Sequence, residues 1–490
     1  MIVEILGAKM LAPYVGTSHF VWTAQIAVTL VALAAGYYAG GRLVDRSPRL
    51  GRLYSAILIA AVYLCLTVLA VGPVAYWCLR FKLALGSLLA SAFLFFVPLS
   101  LLAMVGPFFV RVLTSSINSV GGNVGRLTAL GTLGSFAGTL LIGYVLIPFL
   151  PNSLTMYLTA ALLFCVVAAY FHFWAKKSQN RPAVVTGVLA GLFIGFVGVK
   201  NESRSAFSNA VEVFRGNSNF GRLQVVDAGN GTRRYYLNDY LVQNVYDPSE
   251  KKSTTLFTYM LHDLARAYSR RLESTLCIGL GVGVVPTHLG REGVRVDVVE
   301  INPAVVPLGE RYFGSQPERF NLFIGDGRQF VNATTNRYDA VVLDAFLGDS
   351  SPSHLMTRES FAAIRRVLNP EGVLVINCFA DFNPGGDFFG ASLDKTLRQV
   401  FRSVRIHAAG NGNVFFVASD QEELHILHPP DFNLVHRSCR DQAQAAFAGV
   451  SEANPRSGIV LTDDYNPVEF YDAANRERVR RHLAMAIRSF

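Results

Sequence analysis

Charge is scarce in this chain. Of its 490 residues, 16% are Asp, Glu, Lys or Arg and 51% are hydrophobic. That balance excludes a disordered chain, and it excludes an ordinary soluble enzyme over the whole length. Cysteine is sparse too: there are six, with no CxxC and no Cys/His cluster, so neither a disulfide scaffold nor a zinc ribbon fits. Cys65, Cys78 and Cys165 lie in apolar runs and Cys277 and Cys378 in strand-like ones, so buried free thiols are expected. Acidic residues are almost missing from the first 199 positions, where Glu4 and Asp45 stand against 12 Lys/Arg. The other 291 residues hold 32 basic and 33 acidic groups. The net charge of +9 therefore sits between hydrophobic segments, where it reports membrane topology. Nucleic acid is not an expected partner.

Five runs carry no charged residue: Phe20–Gly41, Leu53–Leu79, Leu83–Val110, Leu127–Ala175 and Pro182–Val199. A span needs about 20 apolar residues. The longest run is interrupted by Pro148, Pro151 and Asn152 and reads as two helices, which gives six spans, with the apolar Met1–Leu11 as a partial seventh. A cleaved signal peptide is not expected, because Glu4 replaces the basic leader. Basic residues cluster in Arg42–Arg52, Lys176–Arg181 and the 111–126 loop, whereas the Pro151–Asn152 turn has none. This bias puts those three loops on the cytoplasmic side. A full crossing at 182–199 would then put residues 200–490 outside. Gly131, Gly134 and Gly138 have the small-residue spacing that allows close helix packing.

The texture changes at Lys200. Gly221–Asp227 and Arg233–Leu237 alternate around Ala228-Gly-Asn-Gly231, a hairpin signal. Strand-like and helix-like segments then take turns. Ser274–Ile278 leads into Gly279-Leu-Gly281-Val-Gly283, Val294–Val299 ends in Glu300, and Phe320–Ile324 ends in Gly325-Asp326-Gly327. Tyr338–Leu343 ends in Asp344, and Val373–Asn377 follows a helix and a turn. Val404–His407 and Val414–Ser419 look like a closing antiparallel pair. This rhythm predicts a doubly wound, mostly parallel Rossmann-like sheet with ligands at the carboxyl ends of its strands. Five parallel strands plus a hairpin is the arrangement of S-adenosylmethionine-dependent transferases. In the glycine loop, Gly279, Gly281 and Gly283 let a ligand approach the backbone. Glu300, closing the next strand, is placed for ribose hydroxyls, and Asp326, at the third strand tip, to accept from an adenine amino group. Together they point to an adenosine-containing ligand.

The ordered set Gly279-Leu-Gly-Val-Gly283, Val299-Glu300-Ile-Asn302, Gly325-Asp326-Gly-Arg328, Asp344-Ala-Phe and Pro370-Glu-Gly372 resembles the polyamine aminopropyltransferases, the spermidine synthases. Tyr14-Val-Gly-Thr-Ser, Gly36-Tyr-Tyr-Ala-Gly-Gly41, Asp45-Arg-Ser-Pro48 and Leu461-Thr-Asp-Asp464-Tyr-Asn-Pro-Val468 resemble the branch of that family fused behind a membrane domain. The resemblance implies decarboxylated S-adenosylmethionine as donor, a small amine as acceptor, methylthioadenosine as product and no metal. It places the donor on Gly279, Gly281, Gly283, Glu300, Asp326 and Gly327, and makes Asp344 the catalytic aspartate. The family's loop acid is Val282 here, and its Asp-x-x-Asp-Pro motif becomes Asp344-Ala-Phe-Leu347-Gly348. Its Tyr-His/Gln-Glu becomes Phe257-Thr258-Tyr259. Gln243 stands near the family's hairpin Gln, and Gln243, Tyr259, Asp463 and Asp464 are the acceptor-side candidates. Asp463-Asp464 reads equally as replacement carboxylates or as a helix cap. The loop Asp349-Ser-Ser-Pro-Ser-His354 adds Asp349 and His354 as catalytic candidates, His354 being either a general base or an ordinary loop histidine.

The expected organisation is a multi-span α-helical domain at 1–199, a β-hairpin element at 205–250, a catalytic α/β domain at 251–425 and a helical extension at 426–490. The expected activity is aminopropyl transfer to a nonstandard amine. Methyl transfer from S-adenosylmethionine stays open, as does a transporter or sensor with a transferase-like domain. The expected setting is the lipid bilayer of a bacterial inner membrane, with a homodimer left open. Because both donors are made in the cytosol, the catalytic half is expected on the cytoplasmic side, against the charge count.

Overall fold

Long uncharged apolar runs satisfy their backbone hydrogen bonds in a bilayer only by coiling into helices, and these do. The computed structural model describes every residue except 17–18, 115, 175–180, 203–208, 240, 347–350, 409–411 and 489–490. The chain divides into two units, Met1–Ala206 and Phe207–Phe490.

The first unit contains α1 (Ile2–Val15), α2 (His19–Arg46), α3 (Leu50–Cys78), α4 (Leu83–Leu113), α5 (Ile117–Phe149), α6 (Asn152–Phe173) and α7 (Arg181–Glu202). Five of these, α2 to α6, are long and apolar enough to cross a membrane, while α7 supplies only a shorter apolar stretch, Val184–Lys200. The six expected spans thus become five long helices and a shorter sixth. Both α4 and α5 contain one π-helical turn, Ala92–Phe96 and Ile142–Leu146, each followed within two residues by Pro98 or Pro148. Proline lacks an N–H and its ring presses on the carbonyl four residues back, and a widened turn absorbs both defects.

The loop expected at 111–126 is much shorter, because α5 runs straight through Arg126. One long cationic side chain can carry its charge away from the helix axis without ending the helix. Of the three glycines expected to pack closely, Gly138 meets the Ile2 side chain, and the other two do not pack. A Cβ at Gly131 or Gly134 would meet nothing within 4 Å, whereas one at Gly36 would strike the Ser100 carbonyl and one at Gly191 the Phe164 ring. Helix α5 is 6% buried over its most apolar stretch, against 28–39% for the other four long helices. Cys165 is exposed and the other five cysteines are buried.

The second unit opens with an antiparallel meander of β1 (Ala210–Ser218), β2 (Gly221–Ala228), β3 (Arg233–Asn238), β4 (Leu241–Asp247) and β5 (Lys252–Ser253). The expected hairpin is its β2–β3 portion. Helix α8 (Leu256–Tyr268) leads into an eight-stranded sheet built from β6 (Ser274–Ile278), β7 (Arg295–Glu300), β8 (Asn321–Ile324), β9 (Tyr338–Leu343), β10 (Leu368–Phe379), β11 (Ser403–Ala408), β12 (Asn413–Ser419) and β13 (Val450–Ser451). Its order is β13-β11-β12-β10-β9-β6-β7-β8. The five strands from β10 to β8 pair in parallel, and β11, β12 and β13 are antiparallel.

Strand β6 is buried throughout, and its Ser-Thr-Leu-Cys-Ile sequence has no polar-out alternation because helices cover both faces. The chain leaves β6 towards β7 and β8 on one side, and later fills β9 and β10 on the other. The order therefore reverses between β6 and β9, and a crevice opens there beyond the strand ends. Helices α9 (Val284–Arg291), α10 (Gly327–Ala333) and α11 (Arg358–Val367) follow β6, β8 and β9. The segment 426–490 includes helices Arg440–Ala448, Val468–Tyr471 and Ala473–Arg488, with β13 joining the sheet between the first two.

Candidate active site

The crevice is framed by the tips of β6, β7, β8 and β9. The Gly279 amide donates to Val299 O at 2.8 Å and the Asp344 amide to Ile278 O at 3.0 Å, which stitches three strand ends together. Gly279 has φ +100°, and a Cβ there would collide with the Asp344 carbonyl oxygen. Gly283, at φ +78°, starts α9, and a Cβ there would collide with Ser315. Only glycine combines that backbone with that approach. Gly281 lines the loop between them, and Gly327, just after Asp326, packs on Ile278.

Glu300 terminates β7 and is 9% exposed. Its Oε2 accepts from the Leu280 amide at 2.9 Å and its Oε1 from the Asn302 amide at 2.7 Å. Burial pushes its pKa up, and the amides of Leu280, Asn302 and Ile301 oppose that shift. Each carboxylate oxygen retains a lone pair, so Glu300 can fix the glycine loop and accept a pair of ligand hydroxyls.

Asp326 caps α10 by accepting from the Gln329 amide at 2.9 Å, and its other oxygen meets His354 Nε2 at 2.9 Å. Burial works against the Asp326 carboxylate, but the Gln329 amide and the His354 ring outweigh it and its pKa is lowered. Among the described residues, the His354 ring thus partners Asp326 rather than Asp344.

Asp344 follows β9. The Asn377 amide nitrogen donates to its Oδ1 at 2.9 Å, and the Asn377 carbonyl oxygen accepts from Asn413 Nδ2 at 3.0 Å. Burial raises the Asp344 pKa to about 6 against the Asn377 hydrogen bond. A carboxylate poised there is a far better proton acceptor near neutrality than one at its ordinary value.

Of the remaining candidates, Asp349 lies outside the described residues. Asp463 forms a two-point pair with Arg328, at 2.6 and 2.5 Å, and accepts from Thr357 Oγ1 at 2.7 Å. Asn466 donates to Ser353 O at 3.1 Å, and the Arg358 amide to Leu461 O at 2.8 Å. The motif at 461–466 therefore clasps the loop that carries His354, and Asp464 beside it is exposed. Gln243 is the extra residue at a β-bulge, where the β3–β4 register steps from Leu237 opposite Val242 to Tyr236 opposite Asn244. Tyr259 is buried, and its hydroxyl donates to Ser253 O at 2.7 Å. Sequence reasoning assigned no role to Asn377, Asn413, Arg328 or Thr357. The position of Asn377 at the end of a buried strand, beside the strand ending in Asp344, was the available signal for it.

The Spermine/spermidine synthase domain matches residues 255–409. A polyamine aminopropyltransferase of Vibrio vulnificus is 38% identical over 141 residues, 27% of this chain and 46% of that protein. An N-terminal histidine N-methyltransferase of Emericella nidulans is 30% identical over 176 residues, 34% of this chain and 31% of that protein. The chain thus spans less than half the length of either curated relative. A solved structure of a probable spermidine synthase from Corynebacterium glutamicum shares 14% identity, covers 54% of this chain and 98% of that one, and has a TM-score of 0.41.

Two predictions follow from this geometry. Glu300→Gln turns an NH2 group onto a backbone amide and removes the charge, so affinity for methylthioadenosine or S-adenosylhomocysteine should fall by ~1–3 kcal/mol. Calorimetric titration checks this, and unchanged affinity would take Glu300 out of the ligand site. If Asp344 acts as a base, it must be ionised, so turnover should rise with pH through about 6. Asn377→Ala removes a donor that favours the ionised form, so the same limb should move to higher pH in that variant.

Proposed function

We propose that this chain is a membrane-embedded, spermidine-synthase-like transferase that moves an aminopropyl group from decarboxylated S-adenosylmethionine to an amine. The observation that carries the reading is the Asp344 carboxylate, with a pKa of about 6, held by Asn377 directly beside the Gly279 loop. On this reading the adenosine part of the donor lies along Gly279–Gly283, its ribose on Glu300 and its adenine near Asp326. The nitrogen lone pair of the acceptor attacks the aminopropyl carbon, the carbon–sulfur bond breaks, and methylthioadenosine leaves as a neutral sulfide. The new ammonium then gives up a proton, with Asp344 as the acceptor. Removing that proton transfer is worth roughly 10²–10⁴-fold in rate.

The acceptor is a nonstandard amine on this reading, because the family's second motif acid is Leu347 and its loop acid is Val282. Those same vacancies, with the 30% identity to a histidine N-methyltransferase, favour methyl transfer from S-adenosylmethionine as the second reading. Five long apolar helices are compatible with a membrane protein. The cytosolic origin of both donors favours a cytoplasmic site.

Mass spectrometry of an amine mixture incubated with each donor separates the readings, since aminopropyl and methyl additions differ in mass. Aminopropylated product from the decarboxylated donor is expected, and Asp344→Asn should lower its rate by ~10²–10⁴-fold with donor affinity nearly intact. Methylated product alone would replace the first reading by the second. A single cysteine at the exposed Thr232, in a chain lacking the native six, should stay unlabelled by an impermeant maleimide in intact cells and label after permeabilisation.

A further inference from the structure

Asp247, at the end of β4, Glu250, in the β4–β5 turn, and His436 gather into one cluster. One ligand atom of each lies within 4.8 Å of the other two. His436 is 4% exposed, and its Nε2 has no hydrogen-bond partner. That nitrogen points at two carboxylate oxygens, Asp247 Oδ2 at 3.4 Å and Glu250 Oε2 at 3.6 Å. Both separations are long for a hydrogen bond. They match the edge of a tetrahedron of nitrogen and oxygen ligands around zinc: with bonds near 2.0 Å, the N···O separation is about 3.3 Å.

The surroundings prepare these three atoms. Asp247 Oδ1 is occupied by the Ser249 amide and hydroxyl at 2.8 and 2.5 Å and the Glu250 amide at 3.1 Å, which leaves Oδ2 to face the imidazole. His436 Nδ1 lies 2.7 Å from Ser438 Oγ and 3.2 Å from the Ser438 amide nitrogen. The Ser438 amide donates to Nδ1, so in the metal-free ring the proton sits on Nε2, between the two carboxylate oxygens, and an ion entering the site takes its place. Arg437 approaches Glu250 from outside, Nε to Oε1 at 3.4 Å, on the oxygen that does not face His436. Glu250 is exposed, which gives an ion a way in and leaves room for a water as fourth ligand.

We infer that Asp247, Glu250 and His436 form a binding site for a divalent first-row metal ion of the zinc type, which fastens the end of the β-meander to the 431–439 segment. One imidazole with two carboxylates suits zinc and its neighbours better than calcium or magnesium, which take oxygen ligands.

The test uses the full-length protein in detergent, stripped with EDTA and dialysed. Titration with zinc should show one ion bound per chain and a raised melting temperature. His436→Gln and the exposed Glu250→Gln should each weaken that binding by more than ~10-fold, the least that loss of even an outer partner of a metal ligand typically produces. His425→Gln, in an exposed His–Glu pair elsewhere, should leave it unchanged. Cobalt(II) in place of zinc should give visible ligand-field bands without thiolate charge transfer, excluding the cysteines as the binding groups. Zinc binding that survives both substitutions, or a protein indifferent to zinc and EDTA, would overturn the inference and leave the His436 Nε2–H facing two carboxylates.

Discussion

The approach of Gly279 to the Asp344 carbonyl is the constraint on which the crevice depends. Two parallel strands end side by side, and each continues into one part of the candidate site, the glycine loop from β6 and the acid from β9. Their separation is set by backbone contact, which side-chain motion cannot relax. Glu300 adds the third fixed point by holding the Leu280 amide from β7. Preorganised backbone of this kind places charged groups without cost at the moment of reaction. A side chain at position 279 would push the β9 tip away and move Asp344 relative to the loop, so this glycine positions the acid without carrying a functional group.

Burial then sets the chemistry of the two acids differently. Glu300 is raised by burial and steadied by backbone amides, whereas Asp344 is raised to about 6 with one side-chain amide in attendance. The first arrangement suits a fixed acceptor for ligand hydroxyls. The second suits a group that must change its protonation state during turnover, because a single neutral hydrogen bond leaves both forms accessible near neutral pH. Asn377, buried on β10 and bonded on to Asn413, is where that balance is set.

Much of this was legible in the sequence, for physical reasons. Buried parallel strands have no polar face, so Ser274–Ile278 and Tyr338–Leu343 stand out as short apolar blocks, and the residues just beyond them mark the crevice. The uncharged runs likewise announce helices long enough for a bilayer. What the sequence hid was pairing across distance. Nothing near His354 indicates that its ring turns to Asp326, and nothing near Asp463 indicates Arg328, because each pair is made by the fold. Helix boundaries were obscured for a different reason: Arg126 looks like the edge of a loop, but a long side chain carries its charge away from its own backbone. Two of the three packing glycines were misplaced because spacing alone cannot tell which face of a helix meets a neighbour, so Gly131 and Gly134 lie open while Gly138, Gly36 and Gly191 make contacts.

The clasp between Arg328 and Asp463 closes a loop of 135 residues. A contact of such range repays its chain entropy only after the intervening sheet has formed. The loop bearing His354 is therefore completed late in folding, and on partial opening the Leu461–Asn466 clasp can release while the strands stay paired. The rim of the crevice and its floor then belong to different layers of stability. A protease or hydrogen-exchange probe would see the rim as a separate, weaker cooperative unit laid over a rigid platform.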